Sequence, residues 1–178
     1  MVFLRWDGSV LSTLLPRRPV AGELKLAQFA SHNTPERRAQ IARAILEVKL
    51  SKSVELLRFL SRFYPCDPAP IEAEVERGPS AESIPGLMVW EGRSAVAYWA
   101  EFGEVVNRLW PEAWFVTRKG KGKSWAQSAT DPANALLNFG YSLLEARVRH
   151  AVTSLEVEPS MGWLHETAAS NLPANRDL

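Results

Sequence analysis

The sequence contains very little cysteine and no long apolar segment, and both absences exclude whole classes of protein. Cys66 is the one cysteine among 178 residues, so no internal disulfide and no pair of thiols for a structural zinc can form. No apolar run reaches the roughly 18 residues that a membrane-spanning helix needs, and no signal-peptide pattern opens the chain. Because 46% of the residues are hydrophobic, a core can still form. We therefore expect a soluble, cytoplasmic protein.

A surplus of one charge sign is also missing from the chain as a whole. The formal net charge is +1, which argues against a uniformly basic DNA coat. The charges are nevertheless segregated: residues 1–64 have eleven basic and five acidic side chains, residues 65–91 have one and six, and residues 92–178 have nine of each. A basic first third indicates a polyanion-binding surface, whereas chance differences between solvated helix faces give the same pattern.

The pattern predicts a mainly α fold, a helical bundle preceded by a short β-hairpin. Val2-Phe3-Leu4 and Val10-Leu11 flank a turn at Asp7-Gly8, which is typical of a hairpin. We place this hairpin and a linker in residues 1–20 and a helical domain in residues 21–178. Within that domain, the proline-rich residues 65–80 form an acidic connector, and residues 117–124 form a basic loop.

Capping patterns and apolar spacing predict the individual helices. Helix starts are expected at Thr34-Pro35 and Asp131-Pro132, where a capping side chain precedes proline. Further helices are predicted from about Ser53, from about Glu91 to Leu109, and after Pro159. The apolar positions expected to face the core are Ile41, Ile45, Val48, Val54, Leu57, Leu60, Phe63, Leu137, Tyr141, Leu144, Val148 and Leu155.

Glu91 is the first candidate functional residue. Ala95, Tyr98 and Phe102 follow it at helical spacing, which places its carboxylate on the apolar face of the helix. A carboxylate that enters a core needs a cation, a metal or a proton. Alternatively, Glu91 lies in the first turn, favours the helix dipole and reaches water.

His165 and a run of cations are the other candidates. Imidazole with carboxylates suits manganese, and Asp177 or Glu166 could add an oxygen ligand, although a lone histidine also serves as a hydrogen-bonded core residue. Phosphate contact would explain a loop that contains four cations, Arg118, Lys119, Lys121 and Lys123, and two glycines. A solvated connector between helices would have the same composition. No Walker loop, nucleophile elbow or zinc spacing is present.

Three long motifs carry a family resemblance. They are Leu87-Met88-Val89-Trp90-Glu91-Gly92-Arg93-Ser94-Ala95, residues 131–144 (Asp-Pro-Ala-Asn-Ala-Leu-Leu-Asn-Phe-Gly-Tyr-Ser-Leu-Leu), and residues 158–166. In this order they resemble the catalytic-glutamate helix, the helix after the basic loop and the catalytic-histidine segment of the CRISPR-associated integrase, the endonuclease that installs new spacers. Phe3, Asp7-Gly8, Gln28, Ala42-Arg43 and Lys49-Leu50 fit the region that joins its two domains.

The resemblance implies a metal-dependent DNA endonuclease or integrase. Glu91, His165 and Asp177 would bind Mn²⁺ or Mg²⁺, which would stabilise charge on the phosphodiester while a DNA 3′-hydroxyl attacks in line. The basic side chains would hold the DNA backbone. Family members form homodimers through an N-terminal β domain and join a second, smaller adaptation protein.

The chain also departs from the family pattern. Residues 1–15 are too few for that β domain, and the helices that follow the histidine segment are missing, so we expect a member truncated at both ends. Two other functions therefore stay open: a non-catalytic DNA-binding or scaffold remnant, and a helical protein-interaction module.

Overall fold

The structure, a computed structural model, describes residues 2–4, 10–13, 22–118, 129 and 131–165. Two short strands, β1 (Val2–Leu4) and β2 (Val10–Thr13), pair antiparallel, with a register shift after Phe3. The helices are α1 (Gly22–His32), α2 (Pro35–Leu60), α3 (Ala69–Arg77), α4 (Ile84–Leu109) and α5 (Pro132–Ser154), with a 3₁₀ turn at Pro111–Ala113. The predicted mainly α fold with a leading hairpin is confirmed; the expected turn at Asp7-Gly8 lies outside the described residues.

The chain divides into two compact units. One comprises Met1–Leu46, Ala81–Leu87 and Phe139–Leu178, and the other comprises Glu47–Ser80 and Met88–Asn138. Helices α2, α4 and α5 each contribute residues to both units. We refer to them as the first and the second unit. The predicted division at residue 20 stays a prediction, and the connector 65–80 contains helix α3.

Among its described residues, the second unit has two apolar clusters. In one, Val54, Leu57 and Ile71 are buried, so residues of α2 and α3 share a core. In the other, Phe115 packs with Ala113 and Ala133. The Asn107 side chain holds Phe115 in place: its amide Nδ2 donates to the Phe115 carbonyl at 2.6 Å, and its Oδ1 accepts from the Phe115 N–H at 2.7 Å. The partly buried side chains around the two clusters are Leu60, Val75, Ala97, Tyr98, Phe102, Trp99, Val106 and Leu137.

Helix α2 is continuous, so the separate helix predicted from about Ser53 is wrong. The Ser53 hydroxyl donates to the Lys49 carbonyl at 3.1 Å, and Lys52 pairs with Glu55 one turn on. The polar stretch is therefore satisfied within the helix and does not break it.

Helix α4 also differs from the prediction, because it begins at Ile84 and not near Glu91. Ser83 accounts for the earlier start: its carbonyl accepts from the Leu87 N–H at 2.9 Å, and its hydroxyl accepts from the Gly86 N–H at 3.4 Å. Pro85 in the first turn fits this position because its missing N–H has no helical partner there.

The predicted apolar faces are only partly correct. Along α2 the buried side is Ala39, Ala42, Leu46, Leu50, Val54 and Leu57. This confirms Val54 and Leu57, but Val48 is 64% exposed and Phe63 is exposed. In α5, Ala133 and Ala146 are buried, whereas Tyr141 and Leu144 are exposed, as is Leu155 just after the helix. Small alanines face inward in both helices, so the positions of large apolar residues alone identify only part of the buried side. Among the described residues, no helix is long and apolar enough to cross a membrane.

Candidate functional site

Glu91 lies two turns inside α4, in the second unit, and is held by Lys49 of α2. The Lys49 ammonium donates to Glu91 Oε1 at 2.8 Å, and the two side chains are 30% and 21% exposed. Because α4 begins at Ile84, the first-turn interpretation of Glu91 is wrong. The predicted core-facing position agrees with Tyr98 and Phe102, which pack on the apolar cluster around Leu57.

The residues beside Glu91 fasten α4 to α3. The Trp90 indole N–H donates to the Glu74 carbonyl at 2.9 Å, and Trp90 is buried. The Glu74 carboxylate accepts from Arg93 and from Arg77, each at 2.8 Å. Part of the acidity of residues 65–80 is thus neutralised by arginines of the same unit, and the bonds from Trp90 and Arg93 to Glu74 tie the helix turn that carries Glu91 to α3.

The segment that leads to His165 lies in the first unit and is not helical in residues 159–165, so the helix predicted after Pro159 is absent from that described stretch. Gln28 exchanges two hydrogen bonds with the Glu158 backbone, at 2.9 and 2.8 Å. His32 Nε2 lies 3.1 Å from the Gly162 carbonyl, and since a carbonyl only accepts, Nε2 carries the proton.

Arg38 completes the support of this segment. Its Nε donates to the Trp163 carbonyl at 2.7 Å, and its Nη2 donates to the His165 carbonyl at 3.1 Å. Side-chain donors thus satisfy these two carbonyls in a stretch that forms no helix. The supporting residues come from α1 and α2, more than 120 positions earlier in the chain.

Arg118, predicted to contact DNA, donates to Asn134 Oδ1 at 2.8 Å in the second unit. Asn134 is buried, and its amide donates to the Thr117 carbonyl at 3.1 Å and to Asp131 Oδ2 at 2.7 Å. Asp131 Oδ1 accepts the Asn134 backbone N–H at 2.7 Å, so the predicted cap of α5 is confirmed. Lys119, Lys121 and Lys123 lie outside the described residues.

The metal ligands remain a prediction. Glu91 belongs to the second unit and His165 to the first, while Asp177 and Glu166 lie outside the described residues. Within the parts of the chain that the structure describes, no group of three His, Cys, Asp or Glu side chains could hold a metal ion. The sequence did not predict that Lys49 pairs with Glu91 or that Arg38 supports His165. Both are basic residues of α2, and basic residues occur on many solvated helices, so nothing in the local sequence distinguished these two.

The class of protein follows from similar structures. The chain superimposes on the structure of a casposase bound to integration product with a TM-score of 0.80 and 33% identity, over 98% of this chain and 47% of that one. A CAS1 protein from Thermotoga maritima has the same fold, with a TM-score of 0.74 at 24% identity, over 99% and 53% of the two chains. The described architecture is thus that of the casposase and CAS1 structures.

The family itself is shown by sequence. The family model described as CRISPR associated protein Cas1 matches residues 1–178, and the chain belongs to the Cas1 family. It is 32% identical to CRISPR-associated endonuclease Cas1 2 of Rhodospirillum rubrum, over 83% of this chain and 44% of the relative. The corresponding values for CRISPR-associated endonuclease Cas1 of Clostridium perfringens are 24%, 91% and 47%. The chain therefore spans about half the length of these curated relatives.

Proposed function

We propose that this chain is a metal-dependent DNA integrase and endonuclease of CRISPR spacer acquisition. The observation that carries the proposal is the partly buried Glu91 carboxylate, held by Lys49 on a core-facing turn of α4. Relatives that match most of this chain are named endonucleases, and a structural relative is named as bound to an integration product. The substrate is DNA, and the bond attacked is a phosphodiester.

The donor chemistry of the candidate residues fits Mn²⁺ or Mg²⁺. Glu91 Oε1 accepts from Lys49, and within the described residues Oε2 accepts no hydrogen bond, so this oxygen keeps its lone pairs for a further cation. The imidazole of His165 adds a nitrogen ligand, which suits manganese better than magnesium. Asp177 supplies the remaining protein oxygen. When bound, the ion supplies Lewis-acid stabilisation of charge on the phosphodiester.

The chain's own residues orient the reacting groups. Lys49 restricts the rotamer of Glu91, and Arg38 restricts the backbone of His165. Lys119, Lys121 and Lys123 hold the DNA backbone through phosphates, which carries no sequence information. Arg118 has a second role, since its bond to Asn134 anchors the start of the basic loop.

The assembly follows the family pattern. The chain acts as a homodimer with a second, smaller adaptation protein, and double-stranded or branched DNA is bound by the assembly. Sedimentation of the chain alone and with that protein tests this part. A chain that sediments as a monomer and does not bind the second protein would contradict this assembly.

Integration of a labelled duplex into branched DNA with Mn²⁺ tests the function. Wild type is compared with Glu91→Gln, and Glu104→Gln is the matched control, because Glu104 is an exposed glutamate of the same helix. We expect product from wild type and the control, and loss of at least about 100-fold with Glu91→Gln, the scale of removing a group that stabilises the transition state. Activity that survives Glu91→Gln contradicts the proposal.

A gel shift over a salt series identifies which alternative holds if no product forms. DNA binding that weakens with salt supports the non-catalytic DNA-binding remnant. No binding at low salt leaves the helical protein-interaction module.

A further inference from the structure

Arg38 bridges two carbonyls that lie on either side of Leu164. Its Nε donates to Trp163 O at 2.7 Å and its Nη2 to His165 O at 3.1 Å. Leu164 itself is 1% exposed, so the backbone between the two carbonyls is also held by a buried side chain. A planar guanidinium fixes the relative orientation of two acceptors in a way that a single ammonium does not.

The two acceptors belong to the peptide groups before Leu164 and after His165. Fixing both groups restricts the backbone dihedrals of these two residues and hence the direction of the His165 Cα–Cβ bond. The hydrogen bonds of the other anchors, Gln28 and His32, are made further upstream, at Glu158 and Gly162, and the His32 ring also lies 5.9 Å from the ring of Trp163. Arg38 donates to the backbone carbonyl of His165 itself.

We propose that Arg38 is a positioning residue that sets the direction of the His165 imidazole. Its consequence for DNA chemistry rests on the proposed function, in which His165 is a metal ligand. A displacement of about 1 Å in such a group costs on the order of 100-fold in rate. The guanidinium would therefore contribute to the reaction by orienting the imidazole.

Imidazole NMR tests the positioning directly and without any catalytic assay. The chain has three histidines, so each ring signal can be assigned by single substitutions to glutamine. We expect Arg38→Ala to shift and broaden the His165 signal while that of His150 on α5 stays in place. Arg37→Ala is the matched control, because Arg37 is an exposed neighbour of the same charge. Its spectrum should match wild type.

The variant Arg38→Lys keeps the charge and one donor nitrogen, but it lacks the planar pair of donor nitrogens that bonds to both carbonyls. We expect its His165 signal to lie between those of wild type and Arg38→Ala, and it decides the question if Arg38→Ala does not fold. A His165 signal that both variants leave unchanged overturns the proposal.

Kinetics at saturating Mn²⁺ separate positioning from loss of charge. We expect the kcat of Arg38→Ala to fall about tenfold or more below that of Arg37→Ala, with KM for DNA similar in the two. Equal kcat values overturn the proposal. Failure of the wild-type chain to form product refutes the proposed function, and the NMR comparison then still decides whether Arg38 positions His165.

Discussion

Lys49 Nζ lies 2.8 Å from Glu91 Oε1, joining helices α2 and α4 across 42 positions of sequence. The pair is more buried than the exposed pair of Lys52 and Glu55, whose side chains are 69% and 56% exposed. Desolvation strengthens the attraction and also makes either charge costly when its partner is removed.

Replacing Lys49 by methionine is expected to lower the free energy of unfolding by about 1 kcal/mol, because Glu91 then keeps a partly buried charge without its cation. Urea unfolding measures the change. Lys52→Met, the exposed control, should cost no more than a few tenths of a kcal/mol. Combining Lys49→Met with Glu91→Gln should restore part of the loss, and strictly additive effects would show that the pair is not coupled.

Replacing Glu91 and replacing Lys49 should change the stabilisation of the folded chain by Mn²⁺ in opposite directions. At ten times its dissociation constant a ligand stabilises the folded state by about 1.4 kcal/mol, or about 3–5 °C in melting temperature. Glu91→Gln should abolish this shift. Lys49→Met should enlarge it, because a positive charge next to the metal ligand is gone. Thermal unfolding at matched Mn²⁺ concentrations measures the shift in melting temperature for each variant. Equal shifts in wild type, Glu91→Gln and Lys49→Met would show that Glu91 is not a metal ligand.

Two glycines of α4 should respond oppositely to alanine. A Cβ on Gly103 would lie 2.9 Å from Cδ1 of the buried Phe115, whereas a Cβ on Gly92 meets nothing within 4 Å. Gly103→Ala should lower the free energy of unfolding by about 1 kcal/mol through overpacking. Gly92→Ala should raise the free energy of unfolding by about 0.5–1 kcal/mol, because alanine lowers the backbone entropy of the unfolded chain. Denaturant unfolding of the two variants measures both free energies. A Gly103→Ala variant that is more stable than wild type would show that the Phe115 ring can move aside.

Cys66 should react slowly with alkylating reagents. Burial raises the pKa of its thiol, and the charges of Glu101 and Asp67 raise it further. Since the thiolate is the nucleophile, less of it is present at pH 8, and alkylation should be slower than in urea-unfolded protein. Glu101→Gln should speed the reaction while its amide oxygen still accepts from the Asp67 N–H, which Glu101 does at 2.7 Å. A rate in the folded protein equal to that in urea would contradict the raised pKa.

Local signals in the sequence were sufficient for several elements. Asp131-Pro132 marked the start of α5 because its cap is formed by residues three apart. Pro35 likewise begins α2, although the Thr34 hydroxyl donates back to the Ala30 carbonyl at 2.8 Å. The core-facing position of Glu91 followed from spacing within one helix.

Long-range partners could not be obtained in that way. Nothing local connects Lys49 with Glu91, or Arg38 with Trp163 and His165, because each pair depends on how distant helices pack. The start of α4 was missed for a local reason, since Ser83 precedes Ile84 and only then Pro85, one position later than in the other cap patterns. The assignment of His165 and Asp177 as metal ligands rests on family resemblance.

The hydrogen bonds among Thr117, Arg118, Asp131 and Asn134 have a consequence for engineering. They join the chain just before residue 119 to the chain just after residue 130, so they offset part of the entropy cost of bringing these two positions together. None of these bonds involves Lys119, Lys121 or Lys123, so replacing the three lysines leaves the bonds in place. Such variants would separate affinity for a polyanion from the unfolding midpoint of the helices.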